Sequence, residues 1–103
     1  MHNKTLNEYL EQLKIYVQKQ DYAQSVDLLN NAISQYPNEN KLKLNLGNIY
    51  KLLDQKDDAL SIFSMLKSSE LADLANNNIS LIYLEQGNLD KSIEHAKIAL
   101  DIN

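Results

Sequence analysis

Only a few residues of this chain carry side chains that could take part in catalysis or metal binding. His95 stands beside Glu94, but adjacent residues of a helix point in different directions, so we expect a surface histidine rather than an acid–base pair. His2 lies in the amino-terminal segment, which we expect to be frayed. Asp57 and Asp58 fall where a helix should begin, and carboxylates there stabilise the helix dipole. These residues predict no catalytic site.

The sequence also lacks the motifs that usually carry chemistry. It has no cysteine, and it contains no glycine-rich phosphate loop, no zinc-protease helix motif and no nucleophile elbow. We therefore expect that the protein is not an enzyme and that it binds neither a metal nor a cofactor. The net charge is −4 and every basic residue is lysine, so the planar guanidinium fork that reads phosphates and guanine is missing. Nucleic acid is not an expected partner.

Composition and hydropathy favour a folded helical protein that is not in a membrane. Hydrophobic residues make up 44% and charged residues 23%, as in ordinary globular domains. No segment approaches the roughly 18 consecutive apolar residues of a membrane span, and no signal-type block follows the first residues. We expect a cytoplasmic protein. Two glycines and one proline provide too few turn formers for a sandwich or barrel, so the composition predicts helices.

One pattern repeats along the chain. Tyr16, Tyr50 and Tyr83 are separated by 34 and 33 residues, and an isoleucine directly precedes each of them. A small residue follows nine positions after each tyrosine, and apolar residues continue at spacings of three and four on both sides of a short polar break. Such spacing predicts two helices in each copy, with the repeated aromatic and small residues in the packing between helices.

The ends of these helices are marked by local signals. Thr5 precedes Glu8 by three residues and Asp21 precedes Gln24 in the same way, a pattern typical of helix starts. Gly87 suits a left-handed helix end and Asn88 can cap the next helix, while Ser68-Ser69-Glu70 should open the fifth helix. The predicted helices span residues 5–19, 22–36, 40–53, 56–67, 70–86 and 89–102.

With this register, the chain resembles the tetratricopeptide repeat (TPR) family. The second copy carries Leu46-Gly47-Asn48-Ile49-Tyr50 and then Ala59 and Phe63, and the third carries Gly87-Asn88-Leu89. Gln12-Leu13 in the first copy and Lys67 in the second depart from the family pattern. The resemblance implies an all-α fold, an α-solenoid of about three helix-turn-helix repeats with six antiparallel helices in a right-handed superhelix. We expect one domain, 1–103, with repeats at 6–39, 40–72 and 73–103.

The same resemblance implies where a partner protein or peptide would bind. Members of the family use a concave groove lined by the first helix of each repeat. Carried over, the groove residues are Lys14, Lys41, Asn45, Asn48, Lys51, Leu74, Asn78 and Leu81. The asparagines can hold a peptide backbone, the lysines attract acidic groups, and the leucines form an apolar subsite. The carboxylate clamp of some members is not expected, because Leu10, Lys14, Leu74 and Asn78 replace its other residues.

Three alternatives to groove binding remain open at this stage. Ile93, Ala96 and Leu100 form an apolar face on the last helix with no polar helix after it, so the chain could be an assembly element that forms a homodimer through its carboxyl-terminal helix. It could also be a fragment of a longer repeat array. A helical bundle that only imitates the repeat is the third alternative.

Overall fold

The computed structural model describes residues 4–102, which contain six α-helices and no strand. The helices are α1 (Leu6–Gln18), α2 (Tyr22–Gln35), α3 (Asn40–Leu52), α4 (Lys56–Ser64), α5 (Ala72–Glu85) and α6 (Leu89–Ile102). Consecutive helices pack together as three pairs, α1/α2, α3/α4 and α5/α6, stacked in chain order. The predicted all-α repeat fold is confirmed.

Predicted caps close the start of three helices. The Thr5 hydroxyl accepts a hydrogen bond from the Glu8 amide at 3.2 Å, and the Glu8 carboxylate accepts one from the Thr5 amide at 3.0 Å, so the reciprocal box is complete. Asp21 accepts from the Gln24 amide, and Asn88 accepts from the Lys91 amide. Each cap satisfies an amide that the helix leaves without an internal partner.

The first helix of each pair ends in the same left-handed turn. Gln20, Asp54 and Gly87 have φ values of 57°, 60° and 78°. The amide of the residue that follows donates to the carbonyl of the repeated tyrosine. Asp21 donates to Tyr16 at 2.8 Å, and Gln55 and Asn88 donate in the same way to Tyr50 and Tyr83. This turn reverses the chain, so each second helix folds back along the first.

The connection between α4 and α5 differs from the prediction. The fourth helix ends at Ser64 rather than at 67, and the fifth begins at Ala72 rather than at 70. Leu66 is fully buried in the turn that follows α4. The Ser69 hydroxyl donates to the Leu66 carbonyl at 2.8 Å and accepts from the Leu71 amide at 3.1 Å, so Ser69 holds this turn instead of capping α5.

Two hydrophobic clusters run along the stack. The first joins α1, α2 and α3 and includes Leu29, Leu42 and Leu46, while the second joins α4 and α5 around Phe63 and Ile79. Tyr50 packs against both clusters, which links them into one core. The Cα radius of gyration is 14.3 Å, above the roughly 13 Å of a compact domain of about 100 residues. The elongation is that of a solenoid, in which each pair contacts only its neighbours.

A small residue in the first helix of two pairs leaves room for a group of the second helix. A Cβ atom on Gly47 of α3 would lie 2.4 Å from Phe63 Cε1 of α4, so the glycine leaves room for the buried ring. At the equivalent place in the last pair, the Ser80 hydroxyl donates to the Ser92 carbonyl at 2.7 Å. Small residues therefore permit close packing in both pairs, as the repeat predicted.

Replacing Gly47 by alanine should destabilise the protein by about 1–3 kcal/mol, because the added methyl group overpacks against Phe63. Helix propensity alone would have the opposite effect, a gain of roughly 1 kcal/mol. Urea denaturation of wild type and Gly47→Ala measures the change. The cost should be smaller in a Phe63→Leu background, and an equal cost in both backgrounds would contradict the proposed contact.

Replacing Gln20 by glycine should stabilise the protein by about 1 kcal/mol, since a residue with a Cβ atom is strained at positive φ. Thermal denaturation compares this variant with Gln18→Gly, a matched change in the last turn of α1. The control should lower the melting temperature, because helical backbone disfavours glycine. A lower melting temperature for Gln20→Gly would show that the turn is not strained.

Candidate functional site

The first helices of the three pairs carry exposed and half-buried residues at equivalent positions of the repeat, and we call this set the first-helix face. It consists of four rows that cross α1, α3 and α5 at equivalent positions of the repeat. The rows are Asn7, Lys41 and Leu74; Glu11, Asn45 and Asn78; Lys14, Asn48 and Leu81; and Gln18, Leu52 and Glu85. All twelve residues are exposed or half-buried. A segment lying across the face could contact all three helices.

The centre of the face is formed by two asparagines of α3. Asn45 and Asn48 are half-buried, and within residues 4–102 neither side chain has a hydrogen-bond partner. Each amide group offers two donor hydrogens and a carbonyl acceptor. Half-buried amide groups of this kind can exchange hydrogen bonds with the backbone of an incoming segment.

Lys51 and Asn78 are brought together, although they come from different helices. Lys51 Nζ donates to Asn78 Oδ1 at 3.2 Å, and Asn78 Nδ2 donates to the Leu74 carbonyl at 3.0 Å. Lys51 lies one residue before Leu52, so its side chain leaves α3 in a different direction from that of Leu52 and points towards α5. The amide of Asn78 already has partners inside the protein, so Asn45 and Asn48 are the freer pair.

The two ends of the face differ in chemistry. Lys14 and Lys41 are exposed on α1 and α3, whereas Leu74 and Leu81 are exposed on α5. Leu74 also borders a cleft of about 360 Å³ between the first turn of α5 and the last turns of α6. The face therefore carries one lysine on each of α1 and α3, with Glu11 beside Lys14 on α1, and it is more apolar on α5.

His95 is not the surface histidine that the sequence predicted. It is only 9% exposed and lies between α6 and α5, with its ring stacked on Tyr83 at a centroid distance of 5.6 Å. Its Nδ1 atom is 2.9 Å from Asn76 Oδ1. Because Asn76 Nδ2 donates to the Ala72 carbonyl, Asn76 Oδ1 must accept, and Nδ1 of His95 carries the proton. The prediction considered only Glu94 and overlooked that His95 occupies the place of the buried Leu28 in the first copy.

Burial lowers the pKa of His95 below the ordinary 6.5 by disfavouring the charged ring. The positive charge of Lys67 lowers the pKa further; Glu94 opposes these effects and Lys91 adds to them. The neutral ring thus belongs to the packing between the last two helices. His2 lies outside the described residues.

Two models of the tetratricopeptide repeat match the sequence, one over residues 14–39 and the other over residues 74–103. The chain belongs to the tetratricopeptide repeat family. The middle TPR copy, between the two matched segments, carries the close contact of Gly47 and Phe63.

Solved structures show the same fold. A crystal structure of MamA superposes with a TM-score of 0.83 at 20% identity, over 92% of this chain and 56% of that one. A second structure, MamA MSR-1 C2, gives a TM-score of 0.80 at 22% identity, over 94% and 56%. The TPR chain thus spans little more than half of these structures. No curated protein matches the sequence.

Residues 4–102 contain no group of three or more histidine, cysteine, aspartate or glutamate side chains placed to hold a metal ion. None of the helices in that range is both long and apolar enough to cross a membrane. The first-helix face is therefore the main candidate site among the described residues.

The stability of this TPR chain should depend on the protonation of His95. Because its folded-state pKa lies below the unfolded value, its contribution is complete above pH 6.5 and is lost progressively as the pH falls through and below that value. Urea midpoints measured from pH 7 downwards should therefore decrease.

His95→Gln removes the titrating group while keeping a side chain that can donate to Asn76. Its urea midpoint should depend less on pH than that of the wild type in the same range. An unchanged pH dependence would show that other groups account for it.

Proposed function

We propose that this protein binds an extended or helical segment of another protein across its first-helix face. TPR chains are generally protein-interaction modules, and the most specific support here comes from Asn45 and Asn48. Their half-buried amide groups have no hydrogen-bond partner within residues 4–102 and lie at the centre of the face. Amide groups of this kind recognise a peptide backbone without selecting its side chains.

The two ends of the face define the chemistry of the partner. Lys41 attracts acidic groups on the part of the segment that crosses α3, and Lys14 does so on α1, where Glu11 offsets part of the attraction. Leu74 and Leu81 favour an apolar side chain on the part that crosses α5. The partner segment therefore carries acidic residues towards one end and a leucine-like or aromatic residue towards the other.

The energies of these contacts differ in size and in role. Burying one large apolar side chain contributes roughly 1.5–3 kcal/mol, whereas a net hydrogen bond contributes about 0.5–1.5 kcal/mol. Exposed lysines contribute less and lose their effect as salt increases. The apolar end thus supplies most of the affinity, and the asparagines position the backbone of the segment.

A carboxylate clamp is not part of this proposal. Leu10, which stands where the clamp would need lysine, packs against the first hydrophobic cluster. Leu74 replaces another lysine and lies exposed at the apolar end. A terminal carboxylate would find no cluster of cations on this face.

Self-association through the last helix is a second candidate function. Ile93 and Leu100 of α6 are both more than half exposed, although each occupies a position of the repeat that is packed in the first copy. Homodimer formation would cover them. This surface adjoins the apolar end of the first-helix face, since Leu74 and Leu100 line the same cleft.

Asn45→Ala combined with Asn48→Ala should weaken partner binding about tenfold, corresponding to the loss of one or two net hydrogen bonds. Partners are captured from a native lysate with wild-type protein, and the bound segment is then synthesised for calorimetric titration against each variant. The urea midpoint of the double variant should stay near that of the wild type, because neither side chain bonds within residues 4–102.

Asn30→Ala combined with Asn31→Ala is the matched control, since both residues are exposed on α2, outside the face. The control should bind the segment as tightly as the wild type. Equal affinity of all three proteins would reject the first-helix face as the binding surface.

A further inference from the structure

The first-helix face carries two exposed leucines beside the boundary between the second and third helix pairs. Leu52, at the end of α3, is 57% exposed, and Leu81 of α5 is 41% exposed. Leu52 belongs to the middle pair, which contacts a neighbouring pair on both sides, and yet it stays uncovered. Lys14 occupies the position of Leu81 in the first pair and is also exposed, although α3 follows it. Stacking of a further pair would therefore leave this surface open.

Contacts before and after the leucines join α3 and α5 across this boundary. Lys51 Nζ donates to Asn78 Oδ1 at 3.2 Å, one residue before the leucine of α3 and three residues before that of α5. Beyond the leucines, Lys56 Nζ at the start of α4 lies 3.5 Å from Glu85 Oε2. Both leucines lie between these two contacts along the chain, so they flank the same stretch of the boundary.

Lys51 is a half-buried cation beside this apolar surface, and its charge is not neutralised by an ion pair. An ammonium group has three donor hydrogens, and in the described part of the chain Lys51 uses them only towards the neutral Asn78. Lys56 differs, because it pairs with the carboxylates of both Asp54 and Glu85. Those two carboxylates therefore offset the charge of Lys56 and leave that of Lys51.

Few other carboxylates compete for the ammonium group of Lys51. Helix α3 itself contains three lysines and no acidic residue. In α5, Asp73 stands in the first turn and Glu85 is the last residue, so the residues between them carry no charge. Asp57 and Asp58 belong to the first turn of α4, where the helix dipole stabilises them. A carboxylate that approached Lys51 would meet amide groups and apolar side chains.

We propose that Lys51 binds an acidic side chain of the partner segment, while Leu52 and Leu81 hold an apolar side chain of the same segment beside it. The proposal rests on the proposed function and gives a partner chemistry to one place on the first-helix face, which we call the mixed subsite. Asn78, which Lys51 contacts, precedes Leu81 by three residues, about 4.5 Å along the helix axis. Residues one or two positions apart in an extended segment span that distance.

The two parts of the mixed subsite select the occupant together. A small anion would gain nothing from the two leucines. A purely apolar segment would cover the half-buried ammonium group of Lys51 without giving it a partner, which is costly. A segment that carries aspartate or glutamate within two positions of a leucine or an aromatic residue satisfies both parts. The mixed subsite therefore differs from a carboxylate clamp, which needs several cations and a chain terminus.

Two octapeptides test the mixed subsite with probes of known sequence. Both are acetylated and amidated, and both consist of serine and glycine apart from one leucine and one glutamate two positions apart, in either order. Nuclear magnetic resonance titration of the labelled chain should shift the signals of Leu52 and Leu81, with a dissociation constant on the order of millimolar. Glutamine in place of the glutamate, or alanine in place of the leucine, should weaken binding about three- to tenfold.

Variants of the protein assign these effects to the named side chains. In Lys51→Gln the glutamate and glutamine peptides should bind alike, whereas Lys51→Arg should keep the preference for glutamate. Leu52→Ala combined with Leu81→Ala should remove the preference for leucine. Lys97→Gln and Leu89→Ala are the matched controls, since both residues are exposed on α6, outside the face, and they should bind like the wild type. An unchanged circular dichroism spectrum confirms that each variant folds.

The absence of shifts at the two leucines would overturn the mixed subsite, and so would a preference for glutamate that persists in Lys51→Gln. An equal loss of affinity in the two controls would overturn it as well. The proposed function is tested separately by the Asn45→Ala and Asn48→Ala variant. If that variant loses the captured segment while Lys51→Gln leaves the peptide preference unchanged, the face binds and the mixed subsite is wrong. The reverse result would retain the subsite and reject the role of the asparagines.

Discussion

The fold depends on how closely the two helices of each pair approach one another. Phe63 of α4 occupies the volume that a side chain at position 47 would fill, and Ser80 meets the backbone of α6 at hydrogen-bond distance. With the pair closed in this way, the outer sides of both helices remain available for the next pair. The stack grows because Tyr50 can then contact the clusters on either side. Without close pairing, the repeated aromatic residues would have no shared cavity to fill.

The same packing explains why polar residues collect on one face. In the first helix of each pair, one side contacts the second helix and another side contacts the neighbouring pair. A third side of that helix is not covered by the stack, and it belongs to the first-helix face. The residues of this side do not take part in the packing of the stack, and they include Lys41 and Asn45 on α3 but Leu74 on α5. Packing therefore determines where a binding surface can lie, while the residues of this side determine what it can bind. The hydrogen bond from Lys51 of α3 to Asn78 of α5 shows that a polar side chain at the edge of this side can instead join the second and third pairs.

Much of the fold could be predicted from the sequence because its signals are local. The spacing of the tyrosines, the Thr5 cap and Gly87 each depend on residues within one or two helical turns, and the structure confirms all three. The turn at Ser69 could not be predicted, since it depends on the burial of Leu66 in the cluster that α4 and α5 form once they pack together. The burial of His95 was not predicted either, although His95 occupies the same position of the repeat as the buried Leu28. Repeat alignment of the polar residues, and not only of the apolar ones, would have identified that site.

The third pair differs from the first in where its polar groups lie. Between α5 and α6 the contacts include hydrogen bonds from His95 to Asn76 and from Ser80 to Ser92, together with the stacking of His95 on Tyr83, whereas leucine side chains fill the first pair. Directional bonds fix the relative position of the two helices but bury little apolar area. The apolar residues of α6 are concentrated on its outer side instead. A pair that uses polar contacts internally and apolar ones externally leaves an apolar surface that another helix would stabilise by covering it.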